Sequence, residues 1–127
     1  MSLRSLRASL VASLADALPE PNIYTHPPQA VNVPALVLVP DDPYLVPRSI
    51  GAITSAVVQF RLTLLVAIND NESALANIED LAAAVFASIP NGYSVGDMTR
   101  PQPAKVGPAE YLSAEIPISS PTSLETD

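Results

Sequence analysis

At 127 residues the chain has the length of one domain, and a domain of that size buries roughly two-thirds of the surface it would expose unfolded. Hydrophobic residues make up 48% of it and charged residues 15%, which excludes disorder over most of its length, and no apolar run approaches the ~20 residues of a membrane-spanning helix. The net charge of −7 comes with no Lys/Arg cluster, so specific nucleic-acid binding and membrane association are not expected; the lack of cysteine excludes disulfides, zinc–thiolate sites and thiol nucleophiles.

The first element in chain order is a helix over about 2–18. Leu3, Leu6, Leu10, Leu14 and Leu18 recur every three or four residues and form one apolar stripe, with Ser2 as N-cap and Pro19 and Pro21 as the stop. Ser, Arg and Asp interrupt this stretch, so it reads as a helix of the mature protein and not as a signal peptide. "NIYTH" is a short strand and "PPQAVNVP" a loop. "ALVLV" (35–39) is apolar on both faces, as suits a strand buried on both sides. The region 40–53, "PDDPYLVPRSIGAI", is expected to be a long connection, functional or mobile in the way such loops tend to be.

A long strand over 54–68 follows, with Phe60, Leu62, Leu64, Val66 and Ile68 on a core face and Gln59, Arg61, Thr63, Leu65 and Ala67 on a mixed one. Asn69 and Glu72 have capping-box spacing before a second helix, whose stripe is Leu75, Ile78, Ala82, Val85 and Ile89; Pro90-Asn91-Gly92 ends it. "YSVGDMTR" is a weak strand. "AEYLSAEIPI" is a stronger one, with Leu112, Ala114, Ile116 and Ile118 on one face and Tyr111, Ser113 and Glu115 on the other. The expectation is a single α+β domain over 1–118. It has a mostly antiparallel, mixed sheet with two helices packed on one face, in the order α-β-β-β-α-β-β, and 119–127 forms a loose tail.

The central strand is long for its domain. Fifteen residues at ~3.3 Å each span about 50 Å, against a diameter of roughly 36 Å for a chain of this length. Either its first residues form an arm that another subunit covers, or a bulge wraps the strand around its own core.

Catalytic chemistry is hard to find. His26, the one histidine, stands before two prolines with no second metal ligand at coordinating distance in sequence. Asp41-Asp42 beside Pro43 reads as a solvated pair, Asp70 and Glu72 as acids favouring a helix dipole, and no Gly-rich phosphate loop or G-x-S-x-G elbow exists. The reading is a non-enzyme with no cofactor and no metal. Partner surface remains. Arg48 and Arg61 stand out because basic residues are scarce: Arg61 is either a solvated position on the open sheet face or the mate of an acid on a neighbouring subunit. Arg4 and Arg7 lie one turn apart near a helix N-terminus, and Tyr44, between prolines, suits an interface anchor.

The succession "THPPQAVNVPALVLVP", "VVQFRLTLLVAIND", "ESALANIEDLAAAVFASI" and "GPAEYLSAEIPIS" resembles the tail terminator (tail-completion) proteins of long-tailed bacteriophages over about residues 3–118. The resemblance rests on the order and texture of segments and not on an invariant motif. It implies a non-enzymatic virion protein at the head–tail junction, assembled in the host cytoplasm. There it would form a hexameric ring that stops polymerisation of the major tail (tube) protein and offers a surface to the head-completion or connector protein, with DNA passing through the lumen. A ring needs two different patches per subunit. One is expected to draw on Asp41, Asp42, Tyr44, Arg48, Ile53, Ser55, Val57, Gln59, Arg61 and Thr63. The alternatives are another head–tail joining protein (adaptor or stopper), or a small regulatory α/β module that binds a metabolite.

Overall fold

The apolar alternation of the long strand places it at the centre of a sheet. In the computed structural model, which describes residues 3–25, 30–48, 55–68 and 71–123, this strand, β3 (Ser55–Ala67), pairs antiparallel with β2 (Ala35–Pro47) on one side and β6 (Ala109–Ser123) on the other. β1 (Asn22–Tyr24) adds parallel to β2. β4 (Ser94–Val95) and β5 (Gln102–Val106) share the outer edge of β6, opposite its 118–119 and 109–113 stretches respectively. With α1 (Leu3–Ala17) and α2 (Asn71–Ser88), this is the expected α+β architecture, built on one mixed six-stranded sheet.

Both helices cover the same face. Val58, Phe60, Leu62, Leu64 and Val66 of β3 pack with Leu36 and Leu38 of β2 and Ala114, Ile116 and Ile118 of β6. Against them lie Leu6, Leu10 and Leu14 of α1, Leu18 just after it, and Ile78, Leu81, Ala82 and Val85 of α2. Each fully buried Leu, Ile or Phe here contributes about 1.5–3 kcal/mol of hydrophobic stabilisation. The α1 stripe is the expected one, whereas the α2 stripe is rotated. Leu75 is 45% exposed, and the buried positions run Ala74, Ile78, Leu81, Ala82, Val85. At about 100° per residue Leu75 lies some 60° from Ile78, on the margin of the stripe, while Ala74 lies nearer its centre.

Three boundaries differ from expectation. The presumed connection 40–53 is strand as far as Pro47. Prolines 40, 43 and 47 suggested a loop, but they lie on the outer edge of β2, which β1 covers only at Ala35–Val37, and there a missing N–H breaks no ladder. The presumed tail from Ser119 continues β6 to Ser123, where Ser120 and Thr122 are buried; its polar composition hid the alternation. β5 was missed because Pro101 and Pro103 masked a hairpin whose turn is Gly107-Pro108. Gly107 at φ 61° followed by proline suits a two-residue turn matched to strand twist.

The bulge lies in β2 and not in β3: from Pro40 to Leu45 β2 advances five residues while β3 advances two, from Phe60 to Val58. Nor is the start of β3 an unpaired arm. Ser55 pairs with Ser123, its carbonyl accepts from the Arg48 N–H (3.3 Å), and Ala56 and Val58 are buried by the chain itself. Ser2, His26, residues 49–54 (Ile53 and the expected strand start at Thr54 among them), Asn69, Asp70 and residues 124–127 lie outside the described residues.

Candidate interaction surface

Among the described residues no helix lies on the second face of the sheet. One half of it is covered by the segment that leads into β2. Val31 folds over Ala35, Val37 and Leu65, with Tyr24, Val33, Val39, Val106 and Tyr111 around them. Hydrogen bonds fasten the segment: the Tyr111 hydroxyl donates to the Val31 carbonyl (3.3 Å), Asn22 Nδ2 to the Asn32 carbonyl (2.9 Å), and the Asn32 N–H to the Tyr24 hydroxyl oxygen (3.1 Å).

Among the described residues nothing covers the other half, which has Arg61 at its centre. Its Nη2 lies 2.7 Å from Asp41 Oδ1 and its Nε 3.0 Å from Glu115 Oε2, so one guanidinium links β2, β3 and β6. The Asp41 hydrogen bond, followed by the charge of Glu115, raises the pKa of Arg61 further above its ordinary value. Asp41 Oδ1 also accepts from the Asp42 N–H (2.8 Å), and Gln59 Nε2 donates to the Pro43 carbonyl (2.8 Å). Two consecutive outward-facing residues of β3, Gln59 and Arg61, thereby hold the bulge of β2, which includes the cis Asp42–Pro43 peptide. Further along the same face, Val46, Val57 and Pro121 form a cross-strand apolar row. Val46 is 40% exposed, and Pro121 is exposed as well.

Of the residues expected to form a patch, Asp41 pairs with the Arg61 guanidinium, Asp42 and Gln59 are hydrogen-bonded within the adjoining bulge, and Thr63 follows Arg61 on the same face in register with Glu115. Val57, Ser55 and Arg48 lie towards the end of the same face. Ile53 lies outside the described residues. Two expectations are corrected. Tyr44 turns to the helix side and packs edge-on against Phe60 (centroids 5.9 Å, 67°), because the bulge flips it out of alternation. Arg61 is exposed on the open sheet face, and the acids it pairs with are the chain's own Asp41 and Glu115 in place of a neighbouring subunit's. Sequence reasoning placed Glu115 on the face of its strand opposite the core but had no register to set it beside Arg61. It missed Val46 and Pro121 because both were read as loop or tail.

Elsewhere, a groove of about 590 Å³ runs between the end of α1, Val33-Pro34, the end of β3 and α2; its polar lining is Glu20, Asp80 and Asn77. A smaller one of about 350 Å³ lies over Arg4, Arg7, Ala8, Val11, Ala12 and Thr25. Among the described residues no group of three or more His, Asp or Glu side chains could hold a metal ion, and no helix is long and apolar enough to cross a membrane. No protein-family model matches the sequence, and no curated protein is significantly similar to it.

Proposed function

We propose that this chain is a tail terminator of a long-tailed bacteriophage, a non-enzymatic subunit of a ring that ends the tail tube and joins it to the head. The observation that carries this reading is the layered build. Both helices lie on one face of the sheet, and no described residue covers the half of the other face around Arg61 and the Val46–Val57–Pro121 row. A broad face that sets charged residues beside an apolar row suits a protein partner better than a small molecule. Leu75 and Phe86, at 45% and 44% exposure and about three turns apart on one side of α2, supply a second apolar surface for the tube or the head protein.

The sheet's borders also favour face-to-face assembly. Pro40, Pro43 and Pro47 line one edge, and Pro103 lies in the strand at the other, so strand addition between subunits is disfavoured. An acidic subunit with net charge −7 suits a conduit that must not retain DNA. Sedimentation velocity over a wide concentration range, electron micrographs of large species, and capping of purified tail tubes test the proposal. Rings or capped tubes are expected; a monomer that caps nothing overturns it. The groove of about 590 Å³ favours one rival, a metabolite-binding module, because it falls in the size range of ligand pockets. A saturable thermal shift with a small molecule would support that rival.

A further inference from the structure

The open sheet face and the outer side of α1 carry opposite charge on opposite layers of the molecule. Arg61 pairs with Asp41 and Glu115, and Asp42 adjoins them through its N–H, which donates to Asp41 Oδ1, so the four residues sum to −2; the Asp42 side chain is exposed and makes no ion pair with a described residue. Arg48 belongs to the same face but lies at the level of Ser55, six residues from Arg61 along β3. That is about 20 Å at strand rise and beyond a Debye length of ~8 Å, so it does little to offset this charge.

On α1, Arg4 and Arg7 give a local charge of +2. The first turn has no acid, and neither arginine makes an ion pair with a described residue. They line the groove of about 350 Å³ whose remaining walls are Ala8, Val11, Ala12 and Thr25. Small apolar residues leave room there for side chains from outside. The two patches also share an order, charge at one end and apolar surface at the other. Six helical residues separate the middle of the arginine pair from Val11-Ala12, about 9 Å, and four strand residues separate Arg61 from Val57, about 13 Å.

Resting on the terminator reading, we propose that the open sheet face of one copy docks on the α1 groove of the next. Asp42 and the Asp41–Arg61–Glu115 cluster would meet Arg4 and Arg7, and Val46, Val57 and Pro121 would meet Ala8, Val11 and Ala12. The contact joins unlike surfaces on opposite layers of the subunit, so it is heterologous and repeats head to tail, as a ring requires.

The test uses two charge-reversed variants of the full chain, Arg4→Glu/Arg7→Glu and Asp42→Lys/Glu115→Lys, with circular dichroism to establish that each is folded. The second reverses the sheet patch from −2 to +2 and leaves Arg61 its Asp41 partner. Each variant alone is expected to self-associate at least about tenfold more weakly than the wild type at 0.1 M salt, because it sets like charges against each other. An equimolar mixture is expected to recover association, since each reversed patch then meets an opposite one. Wild-type association is also expected to weaken as salt rises from 0.05 to 0.5 M, a measurement that needs no variant. Wild-type rings that neither the substitutions nor salt affect would overturn this pairing and leave the terminator reading standing. A wild type that neither associates nor caps tubes would overturn both.

Discussion

Arg61 is the joint on which the order of the open face depends, and removing it tests that claim. Arg61→Met keeps much of the aliphatic stem while deleting both ion pairs. The Arg61 side chain is 44% exposed, with Asp41 at 18% and Glu115 at 37%, so solvent screens the pairs. We assign about 0.5–1 kcal/mol to the Asp41 contact and about 0.2–0.5 kcal/mol to the Glu115 contact. The substitution should therefore lower unfolding stability by about 1 kcal/mol, a drop in Tm of about 3–5 °C for a domain of this size. Urea unfolding followed by circular dichroism at low protein concentration gives the free energy. A double-mutant cycle of Arg61→Met with Asp41→Asn gives the coupling, expected at about 0.5–1 kcal/mol in 0.05 M salt and at less than half that in 0.5 M. A coupling below about 0.2 kcal/mol at low salt, or one indifferent to salt, would refute the view that this guanidinium ties the bulge to the sheet.

Leu10 is fully buried and Leu75 is 45% exposed, so Leu10→Ala should cost about 3–4 kcal/mol and Leu75→Ala less than about 0.5 kcal/mol in the same urea assay. A Cβ added at Gly96 would fall 2.6 Å from Cγ of the Pro117 ring, which cannot rotate away, while the Gly96 N–H donates to the Pro117 carbonyl (2.8 Å). Gly96→Ala should therefore cost about 1–3 kcal/mol, read as a lowered Tm. Burial raises the Tyr93 pKa above its usual value of 10.0, with its hydroxyl donating to the Leu6 carbonyl (2.9 Å). A raised folded-state pKa means the unfolded chain ionises first. This contribution is complete below pH 10 and is lost as pH climbs beyond it, and Tyr93→Phe should abolish that part of the alkaline decline. A pH series of urea midpoints from 7 to 11 for both proteins tests the assignment.

The parts of the fold that rest on apolar periodicity were legible in the sequence. Leu6, Leu10, Leu14 and Leu18 lie where their spacing puts them, and so do Phe60, Leu62, Leu64 and Val66. What escaped depended on tertiary context. Proline marks a break only where its N–H would have been used, so the proline-rich β2 edge and β5 looked like loops until the sheet order was known. Ser120 and Thr122 read as solvent-facing because a polar side chain under a core gives no apolar signal; the Ser120 hydroxyl is satisfied by the Gly92 carbonyl at 2.8 Å. The candidate surface was half legible. Arg61 stands out by the scarcity of basic residues and Gln59 by alternation, whereas the Asp41-Asp42 pair reads as solvated and enters the expected patch only through the family resemblance. Glu115, 54 positions from Arg61, could be joined to it only by register.

The proline-lined borders of the sheet bear on how this protein behaves in quantity. A six-stranded sheet whose short outer strands leave much of β2 uncovered would ordinarily offer that rim to any neighbouring chain, and concentrated stocks would thicken into fibrils or gels. Here three prolines along β2 and one in the short opposing strand deny an incoming chain a continuous row of donors. The chain should therefore tolerate overproduction and prolonged storage without seeding on its own edges.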